Sequence, residues 1–240
     1  MGKFKIDSKE LSDFLRNMFI NNEFDTKDII FRLKKDGLYI NATSASQSLF
    51  VSGHLNEEIF HEIVPFNFIL NNISEFIKLI ENFDTTITVT EETGKLIIRS
   101  EKEKFSVPLI NGEISEQDKV PNLSFEEYIS LSGPNVLDGK KIARFRNTIK
   151  EGNIILEVLD KHLLIHIGDN KFKKYIYRLE LNLEKELNCK SSFGEQLLNI
   201  LQVIDKKTCK LFLKNDYPMQ INYNPTNFSE VKYILAPRAD

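Results

Sequence analysis

The chain has no tryptophan, two cysteines, four histidines and no apolar run near the ~18 residues that a membrane-spanning helix needs. Cys189 and Cys209 alone make no disulfide framework, and no charged-then-apolar leader opens the sequence, so a reducing, intracellular setting is expected. There the triplet Asn41-Ala42-Thr43 carries no glycosylation meaning. No phosphate-cradling glycine loop, no serine elbow and no Cys/His group at metal spacing occurs. His162 and His166 lie in an alternating strand pattern, which would hold them about 13 Å apart on one face, as strand residues rather than ligands. The carboxylates are scattered over helix surfaces and turns. No catalytic group, metal or cofactor is therefore expected. Net positive charge is missing too: 32 Lys and Arg against 35 Asp and Glu leave −3, whereas a domain that grips nucleic acid by its phosphates is usually basic.

What is present is regular. At 240 residues, 41% hydrophobic and 28% charged, the chain can bury one large core or two ordinary ones and is no disordered polyelectrolyte. Lys3–Asp7 alternates as a strand, and Asp7 or Ser8 caps a helix to about Asn22 with Leu11, Phe14, Leu15, Met18 and Phe19 on one face. Strand patterns follow at Ile29–Leu33, Leu38–Ala42, Gln47–Leu55 and Ile59–Pro65, the first two joined by a Lys-Lys-Asp-Gly turn. A second amphipathic helix is expected over about 66–83, then strands Thr85–Thr90, Lys95–Ser100 and Lys104–Ile110. Periodicity stops between Asn111 and Asn122, a polar, acidic stretch that reads as a linker. The pattern then restarts: strand Leu123–Ser132, helix 134–149, strands Asn153–Leu159, His162–Ile167 and Tyr175–Leu181, and a helix at about 191–205 capped by Ser191 or Ser192. A hairpin over Lys210–Tyr223 and a strand Val231–Leu235, stopped by Pro237, close the pattern. Strand, helix, several strands thus occurs four times, twice on each side of the linker. The expected class is α+β, with domains at 1–110 and 123–240 joined by 111–122.

Five stretches carry a family resemblance. They are Lys35-Asp36-Gly37-Leu38 with the Asn41–Leu49 loop, Phe105-Ser106-Val107-Pro108-Leu109-Ile110, Val120-Pro121-Asn122-Leu123, Asn215-Asp216-Tyr217-Pro218-Met219, and Tyr233-Ile234-Leu235-Ala236-Pro237-Arg238. In this order the chain resembles the sliding clamps of DNA replication, the proliferating cell nuclear antigen (PCNA) family of archaea and eukaryotes. Thr43, Ser46 and Gln47 replace that family's usual Asp, His and Val.

The resemblance implies the clamp fold: two similar domains of two β-α-β-β-β units each, helices lining the hole of a trimeric ring, sheets outside. Neighbouring subunits would join edge to edge through Lys104, Phe105, Val107 and Leu109 on one side and Tyr175, Tyr177 and Leu179 on the other, a heterologous contact that closes. The alternative for those strands is an ordinary lysine-protected edge. Helix cations would face encircled double-stranded DNA without reading sequence: Lys140, Lys141, Arg144, Arg146 and Lys150, then Lys206 and Lys207, with Lys9, Arg16 and Lys78 among carboxylates in the first domain. A ring needs basic residues only on its inner wall, which reconciles the net charge. A hydrophobic peptide pocket would be lined by Ala42, Ser46, Val120, Leu123, Pro218, Ile234, Ala236 and Pro237, with the main chain of Arg238-Ala239-Asp240 free to pair with a partner.

Implied partners are DNA polymerase, flap nuclease, ligase and a separate clamp loader, with no membrane. Localisation would be nuclear in a eukaryote, cytoplasmic or nucleoid-associated in an archaeon. The function implied is that of a processivity factor and docking platform. One subunit of a heterotrimeric clamp, or a monomeric processivity factor using its basic helix as an open surface, are the alternatives.

Overall fold

A computed structural model describes residues 2–110, 120–149, 153–168, 174–183 and 187–238, with the side chains of Asn21 and Asn22 excepted. The four repeats of the sequence emerge as four β-α-β units with further strands. The first is β1 (Lys3–Asp7), α1 (Ser8–Met18), β2 (Ile29–Lys34), β3 (Gly37–Thr43), β4 (Leu49–Asn56) and β5 (Phe60–Val64). The second is β6 (Phe66–Leu70), α2 (Ile73–Glu81), β7 (Thr86–Glu92), β8 (Lys95–Arg99) and β9 (Lys104–Pro108). After the linker come β10 (Ile129–Leu131), α3 (Gly139–Thr148), β11 (Ile154–Leu159), β12 (His162–Ile167) and β13 (Tyr175–Glu180). The fourth is β14 (Cys189–Phe193), α4 (Gln196–Val203), β15 (Cys209–Phe212), β16 (Met219–Thr226) and β17 (Ser229–Leu235).

The chain divides into two compact units, Met1–Pro121 with Asn224–Val231, and Asn122–Tyr223 with Lys232–Asp240. The turn into β17 and that strand's first half thus group with the first unit. In the first unit one sheet runs β5-β1-β7-β8-β9, and a second set of strands runs β4-β3-β2-β6. Neighbours in both are antiparallel, as tight turns between consecutive strands require. Apolar side chains of both strand sets meet α1 and α2: Phe4, Ile6, Leu15, Met18, Phe31 and Ile80 are all essentially buried. The second unit repeats the plan with β13-β12-β11-β14 and β10-β15-β16 against α3 and α4.

The turns follow their residue chemistry: Gly37 takes φ +133°, and Asp160 and Lys161 both adopt positive φ in the two-residue β11–β12 hairpin. Asp7 caps α1, accepting from the Lys9 N–H at 2.8 Å, while Ser8 is buried and donates to the Phe83 carbonyl.

Five sequence expectations need correction. Residues 66–83 are not one helix: Phe66–Leu70 is β6, paired with β2, and left-handed Asn72 (φ +50°) separates it from α2. Phe68 stacks on Phe31 at 4.6 Å, so cross-strand aromatic packing overrides a helical template that Ile69 and Ile73 happened to fit. Likewise Ser191 and Ser192 cap nothing; they are buried in β14, where the Ser191 hydroxyl donates to the Lys214 carbonyl at 2.7 Å. The strand expected at Leu123–Ser132 shrinks to Ile129–Leu131, and the helix expected from 134 starts at Gly139, with Asp138 accepting from the Lys141 N–H at 2.9 Å. Helix α1 stops at Met18 rather than Asn22.

Glycine at position 139 is a packing requirement, because an added Cβ would collide with the Leu201 carbonyl of α4. Gly139→Ala is expected to cost roughly 1–3 kcal/mol, the usual range for overpacking, measured by chemical denaturation; an unchanged midpoint would show that α3 and α4 can separate freely.

Candidate functional site

The second unit carries the basic face. The buried stripe of α3 is Gly139, Ile142, Ala143 and Arg146, which turns Lys140, Lys141, Arg144 and Thr148 outward. Together with Asp205 and Lys206, which follow α4, these line a groove of about 500 Å³. Asp205 organises it, accepting from the Lys140 N–H at 3.2 Å while its other oxygen lies 3.7 Å from the Lys140 ammonium. No ion pair among the described residues occupies Lys141, Arg144 or Lys206. The groove therefore presents four cations against Asp138 and Asp205, a surface suited to phosphates and without means of reading bases.

Arg146 does not join them. It is buried, donating to the Ile149 carbonyl and to Glu195, both at 2.9 Å, and ties the end of α3 to the start of α4. Lys207 is half-buried over the Tyr223 ring at 5.2 Å, and burial holds its pKa below the usual lysine value. Lys150 lies outside the described residues.

The first unit is different, because carboxylates sit beside its helix cations. Lys9 meets Asp13 at 2.5 Å. Arg16 makes a two-pronged pair with Glu81, a hydrogen bond that raises the arginine's pKa and lowers the glutamate's. Lys78 is exposed. Such surface pairs contribute little stability, but they reduce the positive potential of this face.

Among the described residues both expected edge strands are unpaired on one side, β9 ending the first-unit sheet and β13 ending its counterpart. On β9, Phe105 packs edge-on to Phe83 at 5.7 Å, which places Phe105 and Val107 on the helix-facing side. Leu109, one residue beyond the strand, donates its N–H to the Gly94 carbonyl. On β13 the ring of Tyr175 stacks on Phe145 at 3.8 Å, and the Tyr177 hydroxyl accepts from the Asp138 N–H at 3.3 Å, so Tyr175, Tyr177 and Leu179 also face the helices. The far end of the second-unit sheet is covered, since Asp216 and Arg238 donate their N–H groups to β14 carbonyls.

The pocket residues are spread over both units. In the first, Ala42 is buried on β3, Ser46 lies between the hydroxyls of Ser44 and Ser48, and Val120 is 39% exposed. In the second, Ile234 is buried, while Leu123, Pro218, Ala236 and Pro237 are half-buried. Phe125 packs against Phe212 and Tyr217, and the Tyr217 hydroxyl accepts from the Ser124 N–H, fastening the chain after the linker to the turn that carries Pro218. Arg238 donates its N–H to the Ser192 carbonyl, and its guanidinium donates to Asn153 at 2.8 Å. Ala239 and Asp240 lie outside the described residues. Sequence reasoning missed Phe125, Tyr217 and Phe145; Phe145 had left a signal, an aromatic outside the buried stripe of its helix.

No group of His, Cys, Asp and Glu fit to hold a metal occurs among the described residues. His162 leans on Arg178 and the Asp160 carbonyl, and His166 Nε2 lies 2.8 Å from Glu157. No helix among the described residues is long and apolar enough to cross a membrane.

Burial holds the His166 pKa below the histidine norm, Glu157 pulling it partly back. The unfolded chain thus takes up this proton first, and the site's stability contribution declines as pH falls through ~6.5. Glu157→Gln is expected to move the His166 titration to still lower pH by NMR; an upward move would contradict the assignment.

No protein-family model matches the chain, and no curated protein does. Solved structures do match over essentially its full length. The PCNA of Entamoeba histolytica is 17% identical with a TM-score of 0.79, covering 99% of both chains. The A. fulgidus PCNA bound to the C-terminal region of FEN-1 is 15% identical with a TM-score of 0.80, covering 100% of this chain and 99% of that one. The PCNA2–PCNA3 complex of Sulfolobus tokodaii is 16% identical with a TM-score of 0.76, covering 99% and 100%. The chain has the α+β fold of the PCNA sliding clamps.

Proposed function

We propose that this chain is a subunit of a ring-shaped sliding clamp that encircles duplex DNA and tethers replication and repair enzymes as a processivity factor. The observation that carries the reading is the pair of unpaired strand edges, β9 and β13, on a chain with this fold. Copies joined β9 to β13 continue one antiparallel sheet, and repetition of one heterologous contact yields a ring when it closes. Lys140, Lys141, Arg144 and Lys206 then face DNA phosphates with weak, salt-dependent, sequence-independent contacts. A ring held by topology slides best when it does not grip. The reading assigns no chemistry to the chain itself.

Partner enzymes would dock through short peptides at the surface of Pro218, Ile234, Ala236 and Pro237, aided by Phe125 and Tyr217. The FEN-1 peptide on the A. fulgidus clamp supports that mode of binding. A polymerase, a ligase and a clamp loader are the other expected users.

A heterotrimeric ring is the second reading. The paired charges of the first unit favour it, because a ring of identical copies would present DNA with alternating neutral and basic stretches. The complex of two distinct clamp subunits in Sulfolobus tokodaii shows the kind of assembly meant.

Retention on closed circular duplex at moderate salt, with release when the circle is linearised, is the expected behaviour. Equal retention on both forms would overturn encirclement in favour of direct gripping by an open basic surface. Lys141→Glu with Arg144→Glu is expected to lower the salt dependence of binding by roughly 0.9 in log–log slope for each phosphate that is no longer neutralised. An unchanged slope would remove α3 from the DNA face.

A further inference from the structure

We propose that Asp13 and Glu81 withdraw the first unit's helix cations from DNA, so that each chain meets the duplex through α3 and the segment after α4 alone. The proposal rests on the clamp reading and adds to it which helices of a chain carry the phosphate contacts.

Burial does not remove the first-unit cations. The Lys9 side chain is 80% exposed and that of Arg16 59%, so both could reach a phosphate if they were free. Occupancy removes them. Glu81 of α2 takes Arg16 of α1 through two guanidinium nitrogens, Nε and one Nη, the second at 2.5 Å. That is the forked arrangement in which an arginine holds a phosphate. Both helices are seated by buried faces, Leu11 and Leu15 on one, Ile77 and Ile80 on the other, so forming the pair costs side-chain freedom only. On α1 itself, Asp13 meets the Lys9 ammonium one turn away at 2.5 Å. The Arg16–Glu81 hydrogen bond raises the arginine's pKa and lowers the glutamate's, which keeps both charged at neutral pH.

The surroundings have the same sign as the carboxylates. Along α1, α2 and the residues flanking them, Lys9, Arg16 and Lys78 stand among Asp7, Glu10, Asp13, Glu75, Glu81 and Asp84. Lys78 lies three residues from both Glu75 and Glu81, on one helical stripe. In the second unit α3 contains no acidic residue and α4 no charged residue at all.

Counterion release converts this difference into a measurable one. A free cation that neutralises a phosphate releases a counterion and steepens the salt dependence of binding. A cation that must leave a carboxylate to reach the phosphate releases none on balance, because the abandoned carboxylate recruits a counterion in its place. Lys9 and Arg16 therefore add nothing to the slope, whereas Lys141, Arg144 and Lys206 do.

Asp13→Asn with Glu81→Gln removes the two negative charges and keeps the side-chain shapes. The log–log salt slope of binding to closed circular duplex should steepen by roughly 0.9 for each cation freed. Thermal unfolding should stay close to that of the unsubstituted protein, because exposed pairs contribute little stability. Glu81→Gln alone, the milder change, should give the Arg16 share of the steepening. Adding Lys9→Gln and Arg16→Gln to the first pair should return the slope to its original value. A slope that does not steepen, or one that stays steep in the four-residue variant, overturns the role of Asp13 and Glu81. The clamp reading fails separately, by an unchanged slope in Lys141→Glu with Arg144→Glu or by equal retention on circular and linear duplex.

Discussion

Backbone hydrogen-bond valence left open at two strand edges is the constraint from which the rest of this molecule follows. A strand at the end of a sheet exposes N–H and C=O groups on alternate residues, and proteins usually blunt such edges with charge, proline or a covering segment. Here β14 is covered within its own unit by contacts from Asp216 and Arg238, whereas β9 and β13 stay open among the described residues. Their protection is partial, with Lys104 and Pro108 on one and Lys174 and Arg178 on the other. Their helix-facing sides are aromatic and aliphatic, which solvent does not favour.

Charge is arranged around the same plan. The second unit gathers Lys140, Lys141 and Arg144 of α3 with Lys206 after α4 along one groove, and one carboxylate, Asp205, sets the position of the first of them. Of the first unit's helix cations, Lys9 and Arg16 are engaged with Asp13 and Glu81. Net charge of −3 is thus compatible with a locally basic wall, since the excess carboxylates lie elsewhere on the surface. The arrangement favours weak contact over tight binding.

Much of this was legible in the sequence because it rests on local rules. The hairpin at Asp160-Lys161, the turn at Gly37 and the cap at Asp7 follow from turn chemistry and alternation, whereas the edges at 104–108 and 175–180 were pointed to by the family resemblance. The first strands of the second and fourth repeats were not legible, because the largely apolar Phe66–Leu70 fits either period and Cys189–Phe193 is mostly Lys and Ser, with no apolar alternation to read. Their strand state is decided by partners distant in sequence, Phe31 for Phe68 and the Lys214 carbonyl for Ser191. Arg146 shows the opposite case. It stands four residues after Ile142 and three after Ala143, on the stripe that must be buried, so helical periodicity alone could have removed it from the basic face. The Phe145–Tyr175 stack joins a helix to a strand 30 positions away and was beyond local rules.

Hydrogen exchange of individual backbone amides, followed against protein concentration, tests the open-edge account most directly. The outward N–H groups of Lys104, Ser106, Ile176, Arg178 and Glu180 are expected to exchange freely in dilute protein and to become protected together as concentration rises. If those five amides exchange freely at every concentration, alone and with any companion subunit, the edges are not where chains join and the account is wrong.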